Sequence, residues 1–308
     1  MFKHDLVNGS FIPPKDIRQL RDLCRYWVKL SSYTTGEKNR AQNCLTVSNK
    51  LDDVFTNVFG KSASAITTQL LEHPGESFDV APFVDGRCRT PIDKIQKAVD
   101  GVFSYEQAEK LKIIRSHMNS LDRHKAELES LILGIAEKYT SQIELLMTVP
   151  GINDVFTAIR IIAEIGVDMS VFETSKKLCS WAGLTPQNNE SAGKKKTTRI
   201  GKSGAYLKPL LIQIAIASSR SEKHPEIREK YLALKKRRGG QKAKVAIARK
   251  LLTAIFNILA KNEPYNPTLY HKDEKPPLAR VISQEQAISI LSNMGYVLDP
   301  LILSTPLQ

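Results

Sequence analysis

The sequence predicts an all-α fold, in which a long helical, coiled-coil-like connector region is followed by a compact helical domain containing a helix-hairpin-helix-like element. Three observations carry that reading. Apolar residues recur at helical spacing over long stretches, as expected when one face of each helix is buried. No stretch alternates apolar and polar residues for the length a strand needs. Proline and glycine interrupt the periodic stretches where helices would end.

The elements follow in order. After Pro13 and Pro14, the apolar positions Ile17, Leu20, Leu23, Trp27 and Leu30 predict one or two long helices from Asp16 to about Leu51. Arg18, Arg21, Arg25, Lys29, Lys38 and Arg40 give this segment a basic face, which suits water and a nucleic-acid backbone equally. Shorter helices are expected in "VFGKSASAITTQLLE" and "IDKIQKAVDG", on either side of the turn-rich "HPGESFDVAPFVDGRCRTP". Tyr105 to about Leu146 is a long amphipathic stretch with Leu111, Ile114, Met118, Leu121, Leu128, Leu131 and Ile135 on its apolar side, suited to a coiled coil or a long antiparallel pair, although its heptads are imperfect. Beyond Met147, helices are expected over 154–165, 175–181, 205–220, 225–237 and 241–261, then a Pro-rich connector and a last helix over 284–295. The expected organisation is a basic helical segment (1–60), a helical connector (61–146), a C-terminal helical domain (147–265), and the Pro-rich connector with its terminal helix (266–308).

Charge narrows the partners. Lys and Arg number 45 against 32 Asp and Glu, giving a formal charge of +13 and a pI near 9.5, which favours a polyanionic partner. Cys24, Cys44, Cys88 and Cys179 form no CxxC pair, so neither a zinc knuckle nor a disulfide framework is indicated and reduced thiols are expected. The opening "MFKHDLVNGSFIPP" is too polar for a signal peptide, and no apolar run approaches the roughly 18 residues of a membrane span. The expectation is a cytoplasmic, nucleoid-associated chain with no membrane partner.

Three motifs bear on chemistry. In "LLMTVPGINDVFTAIRIIAEIG", the Pro150-Gly151 step makes a tight turn before a helix whose Phe156, Ile159, Ile162 and Ile165 share one stripe. Unpaired N–H groups at such a helix start can receive a phosphate, so Pro150 and Gly151 are candidate nucleic-acid contacts, although a plain turn between helices explains them as well. Asp154, Glu164 and Asp168 do not make a metal set, and Asp154 suits the first helical turn. No metal ligand is assigned. The second motif, "SWAGLTPQNNESAGKKKTTRIGKSGAYLK", supplies Lys194, Lys195, Lys196, Arg199, Lys202 and Lys208 with interspersed glycines, a pattern suited to neutralising a phosphate backbone. The third, "ALKKRRGGQKAKVAIARKLL", adds Lys235, Lys236, Arg237, Arg238, Lys242 and Lys244 around a helix break at Gly239-Gly240, with Val245, Ile247, Ala248, Leu251, Leu252 and Ile255 turned to the core. Ser191 reads first as a loop serine. A nucleophilic serine needs a base or a field that stabilises its alkoxide, and the nearest histidine in sequence, His224, lies beyond a helix. Surrounding cations could supply that field for attack on a phosphodiester.

The segments "GSFIPPKDIRQLRDLCRY", "VPGINDVFTAIRIIAEIGVDMSVF", "SWAGLTPQNNESAGKKKTTRIGKSGAYLKPLLIQIAIASSR" and "YLALKKRRGGQKAKVAIARKLLTAIFNIL" together resemble transposases of the IS110 insertion-sequence family, in its IS1111-like branch. The resemblance implies DNA transposition: excision and insertion of a circular element, guided by a structured RNA, by proteins that join a RuvC-like nuclease domain to a helical connector and a C-terminal domain with a serine nucleophile. By motif position that serine is Ser191, which would form a covalent phosphoserine link, and the hairpin residues are Pro150 and Gly151. The resemblance places Mg2+ with the acids of the RuvC-like domain. In relatives the segment resembling "GSFIPPKDIRQLRDL" follows that domain, whereas here it begins at Gly9, and Asp5, Asp16 and Asp22 do not replace its acids. The expectation is therefore a chain without the nuclease domain, needing no cofactor of its own and working as a homo-oligomer or a mixed oligomer with an intact transposase; the alternative is a non-catalytic nucleic-acid-binding remnant.

Overall fold

Two 32-residue helices, α1 (Lys15–Thr46) and α5 (Tyr105–Ala136), lie antiparallel along one another. Their contacts descend in one register. Asp16 meets Lys138 and Tyr139 just past α5, and Trp27 Nε1 donates to Glu129 Oε1 at 2.8 Å. Farther along, His117 Nδ1 lies 3.1 Å from Glu37 Oε1, and Cys44 lies against Gln107. The long amphipathic stretches thus form one helical hairpin within the chain.

The computed structural model describes residues 11–187, 189–191, 194–197 and 199–270, with the backbone alone described for 189–191, 194–197 and 269–270. The described residues up to Tyr265 belong to one compact unit, and beyond it the 3-10 turn Pro267–Tyr270 is described. The helix expected over 284–295 lies outside the described residues.

On α5 the predicted stripe is buried at Leu111, Ile114 and Leu121, but Ile132 and Ala136 replace Leu131 and Ile135 in its second half. Leu131 is 58% exposed. The seven-residue repeat from Leu111 and Met118 runs through Lys125 to Ile132, so the buried face keeps that repeat and Leu131 lies beside it. The Lys125 stem is sheltered and its ammonium lies 5.2 Å over the Trp27 ring, so the charge rests on an aromatic face. At the other end of the pair, α2 (Leu51–Val54), α3 (Lys61–Glu72) and α4 (Ile92–Val99) close a core around Leu51, Ile66, Ile95 and Phe103. Asn49 Nδ2 donates to the Val99 and Gly101 carbonyls and pins α4 to the end of α1.

The second half is built on α7 (Val155–Ile165), against which α1, α6 (Thr140–Met147) and α9 (Leu207–Arg220) all pack. The sequence predicts one apolar stripe, yet Ala158, Ile159, Ile161, Ile162, Ala163 and Ile165 are all buried, because neighbours surround the helix. Phe156 is only partly buried and lies against Trp27 with ring centroids 4.8 Å apart. α11 (Gly240–Lys261) contacts α6, α9, α8 (Ser175–Trp181) and α10 (Pro225–Arg238), burying Ile247, Ala248, Leu251, Leu252 and Ile255; Val245 stays partly exposed. Among the described residues the one sheet is a small antiparallel hairpin, β1 (Asn189–Ser191) with β2 (Lys194–Thr197). Strands this short show no period in the sequence, which reads there as a loop.

α7 is fastened to its neighbours by two contrasting devices. Arg25 Nε and Nη2 donate to the two carboxylate oxygens of buried Glu164, each at 2.8 Å, while Arg21 Nε and Nη2 donate to the Ala163 and Glu164 carbonyls, each at 2.9 Å. On the opposite side, Gly151 has φ +87°, and a Cβ there would lie 2.5 Å from the Ile214 carbonyl oxygen and 3.1 Å from Ser218 N on α9.

Two outcomes follow for stability. A Gly151→Ala chain combines a left-handed backbone penalty with overpacking against α9 and should lose about 3 kcal/mol, read as a lower denaturant midpoint at unchanged m-value. For Asp16, burial pushes the carboxyl up, but hydrogen bonds from Lys138 and Tyr139 outweigh it and lower its pKa to about 2. A folded-state pKa below the unfolded value, about 3.9, gives stability that is complete above the unfolded pKa and lost as pH falls toward the folded one. Asp16→Asn should therefore cost about 1 kcal/mol near pH 6, and that deficit should shrink steadily below about pH 4. Unfolding curves of both chains across this range check it, and a deficit independent of pH would refute it.

Candidate nucleic-acid interface

The α6–α7 hairpin is turned inward. Pro150 is buried, Gly151 faces the backbone of α9, and Tyr265 N donates to Thr148 Oγ1 at 2.8 Å across the same turn. Asp154, which the sequence suggests for the first turn of α7, is its N-cap and accepts from Thr157 N and Thr157 Oγ1, each at 2.7 Å. A phosphate approaching this helix start would meet a carboxylate already bonded to it. Packing and capping thus account for Pro150, Gly151 and Asp154.

Around Ser191 the backbone is organised by its base. Pro186 bridges Ile200, and Gln187 N donates to the Arg199 carbonyl at 3.0 Å, so the hairpin β1–β2 grows from a closed stem. Within it, Ser191 pairs with Lys194 and Glu190 with Lys195. The side chains of Ser191, Lys194, Lys195 and Lys196 lie outside the described residues. Below the stem, the turn after α8 meets the turn before α9. Gly204, with φ +71°, has no room for a side chain, because a Cβ would fall 2.2 Å from the Ala182 carbonyl oxygen. Lys208 donates from Nζ to the Gly201 carbonyl at 2.6 Å and closes the second turn, whereas Arg199 and Lys202 are exposed. Between the turns lies a cleft of about 450 Å³, with Ser180, Thr185, Gln187, Gly201 and Ser203 in its walls.

The other basic cluster forms the tip of the α10–α11 pair. Lys235, Lys236, Arg237 and Arg238 are exposed on the last turn of α10, where cations complement the helix dipole. Gly239 turns the chain at φ +84°, and no side chain caps the start of α11. Lys242 is exposed beside it and Lys244 is half-buried. The tip therefore presents cations from two helices around a helix start with no side-chain cap, a charge pattern chemically suited to a phosphate backbone and not to base edges.

The basic face predicted for α1 divides. Arg18, Lys29, Lys38 and Arg40 are exposed, whereas Arg21 and Arg25 turn to the end of α7. A readable signal was present: Glu164 is an acid in an otherwise apolar helix segment, and a buried acid requires a cation. His224 stands at the start of α10, with Nδ1 3.4 Å from Glu226 Oε1 and its ring edge-on to Tyr265. Among the described residues, no three His, Cys, Asp or Glu side chains are placed to hold a metal ion, and no helix is long and apolar enough to cross a membrane.

Residues 143–232, which span α6 to most of α10 and include both the cleft and the hairpin, match the family described as Transposase IS116/IS110/IS902 family. The chain is 28% identical over 158 residues to the transposase for insertion sequence element IS1111A of Coxiella burnetii (strain RSA 493 / Nine Mile phase I), an alignment covering 50% of this chain and 43% of that protein. It is 32% identical over 130 residues to the pilin gene-inverting protein of Moraxella bovis, covering 41% of this chain and 39% of the relative, and equally so to its counterpart from Moraxella lacunata. The alignments span less than half the length of each of these relatives. Residues 143–232 of the chain are thus similar to transposases of the IS116/IS110/IS902 family.

Proposed function

We propose that this chain is the DNA-gripping and strand-transferring part of an insertion-sequence transposase, with duplex DNA as its substrate and Ser191 as its nucleophile. The observation that carries the reading is the placing of cationic clusters at two points of one helical domain, the stem around Lys202 and the tip around Arg238, within and just beyond the region matched to transposases. Clusters of this kind neutralise backbone phosphates and do not need a fixed sequence.

The chemistry proposed for Ser191 is a transesterification. Its Oγ forms a bond to phosphorus, one P–O bond to deoxyribose breaks, and the serine proton passes to the released hydroxyl. The atoms balance without an oxidant or reductant, and the energy of the phosphodiester is kept in the phosphoserine bond. His224 is engaged with Glu226 and Tyr265, so the field of Lys194, Lys195, Lys196 and Arg199 is the proposed source of alkoxide stabilisation. Magnesium, in this reading, would be held by the acids of a RuvC-like domain. A structured guide RNA and a homo-oligomer, or a mixed oligomer with a nuclease-bearing copy, complete the proposed assembly in the cytoplasm on the nucleoid.

Two measurements test the proposal. Binding of the full chain to a labelled duplex should weaken about 100-fold between about 50 and about 200 mM salt, as expected for roughly four neutralised phosphates. Replacing Lys235, Lys236, Arg237 and Arg238 with Gln should flatten that slope, and an isotherm insensitive to salt would refute the DNA-gripping role. In reactions supplied with a nuclease-bearing relative, a covalent protein–DNA adduct should form on this chain and disappear with Ser191→Ala. An undiminished adduct would remove the serine assignment, and duplex binding without any adduct would favour the non-catalytic reading.

A further inference from the structure

We infer that the cleft between the turn after α8 and the turn before α9 is a seat for one backbone phosphate of the bound DNA strand. The inference rests on the proposed DNA-binding role and gives it a place. The walls carry the hydroxyls of Ser180, Thr185 and Ser203 and the amide of Gln187, with neither an acid nor an aromatic ring among the lining residues. That composition suits an anion with several acceptor oxygens; a base would want a stacking platform. The volume, about 450 Å³, admits a phosphate with its flanking sugars.

A cation completes the set. Lys208 spends one donor on the Gly201 carbonyl at 2.6 Å and keeps two of its three N–H bonds. Gly183 leaves this ammonium reachable: a Cβ at that position would lie 3.1 Å from Lys208 Nζ and 2.8 Å from Ser203 Oγ, covering both. The missing side chain therefore opens the inner wall as well as permitting the turn. The tether fixes the ammonium in advance, so little side-chain freedom is lost when an anion arrives.

The seat also lies within a bounded reach of the proposed nucleophile. Gln187 is four residues before Ser191, so their Cα atoms are at most about 14 Å apart, or about four nucleotide steps along one strand. The cleft residues are positioning residues, which fix the register of the strand relative to Ser191 and take no part in bond making.

The test uses the full chain and a probe too small to slide. Amide-resolved NMR of the isotope-labelled protein is titrated with a thymidine dinucleotide, its neutral methylphosphonate analogue, and the uridine ribodinucleotide. Saturating shifts are expected at Gly201, Ser203 and the Gln187 side chain with the deoxydinucleotide, and binding about 10-fold weaker for the neutral analogue, as loss of charge-assisted hydrogen bonds dictates. The Thr185→Val/Ser203→Ala double variant, which leaves the Lys208 tether intact, should weaken the deoxydinucleotide by a similar factor with the remaining spectrum unchanged. Lys208→Gln should lower the duplex salt slope by about one. Equal response to the neutral analogue, or shifts confined to the α10–α11 tip, would overturn the seat while leaving duplex binding standing. A response to the ribodinucleotide alone would overturn its assignment to DNA. Failure of the broader reading looks different: there the duplex itself does not bind.

Discussion

The contact on which the architecture depends is the grip of α1 on the end of α7. Arg25 meets both oxygens of Glu164, while Arg21 takes the last carbonyls of the same helix, so two guanidinium forks fix the height and the rotation of one helix against the other. The cations also stand at the helix C-terminus, where the dipole favours them. Arg25 lies 4.7 Å over the Tyr206 ring at the start of α9, so one side chain joins three helices. A pair with one buried partner is weak evidence for net stability, because desolvation of Glu164 offsets much of the attraction. Its value is specificity: an apolar contact would let α1 slide along α7, whereas a bidentate pair with capped carbonyls allows one register. Trp27 adds a second point of attachment, with Phe156 and the Arg160 guanidinium from α7 and Lys125 from α5 all against its ring.

That grip matters for the cleft because α9 is held at its start and along its middle within the same frame. Its middle rests on Gly151, which brings the α6–α7 turn within contact of the Ile214 and Ser218 backbone. Its start is held by Gly204 against Ala182 and by the Lys208 tether. The two turns that wall the cleft are thus fixed to α8 and α9 by backbone approach, which is stiffer than contact between long side chains. Rigid support of this kind is what a site needs if it is to position a strand relative to a reacting group.

The sequence discloses helices far better than it discloses what the cations do. The span 175–181 is read to the residue, and 225–237 and 241–261 to within one residue, because Gly239-Gly240 and the prolines mark the ends chemically. The all-α class is legible for the same reason. The β1–β2 hairpin is not, since it is three and four residues long and lies in a stretch rich in lysine. The α5 stripe is legible up to Leu121 and is lost at Lys125, because a lysine lying on Trp27 hides the core position that leads the repeat on to Ile132. The cleft has no linear signature: Ser180, Thr185 and Ser203 are ordinary turn residues until Gly183 and Gly204 bring the two turns together. Arg21 and Arg25 look identical in sequence to the exposed Arg18, and only the position of Glu164, some 140 residues away, tells them apart.

Sorting the cations by what they touch sharpens the case for a polyanion. Arg25, Arg40, Lys61, Lys112, Lys138 and Lys177 each face a carboxylate, and their charge is answered within the fold. Among the described residues, Lys235, Lys236, Arg237 and Arg238 make no ion pair and crowd one helical turn beside Lys242. The α10 dipole favours cations there, but by about 0.3–1 kcal/mol each at most when exposed, and their mutual repulsion works against it. A fold selected for stability alone would intersperse acids, as the α1–α5 pair does with Glu37, Glu109 and Glu129. The tip therefore retains a repulsion that a phosphate backbone would relieve. Salt screens both terms at once, so the ionic strength that loosens a bound strand also eases the strain of the free tip. Only an external anion would relieve that repulsion and gain contacts as well, an asymmetry that supports the role proposed for the tip.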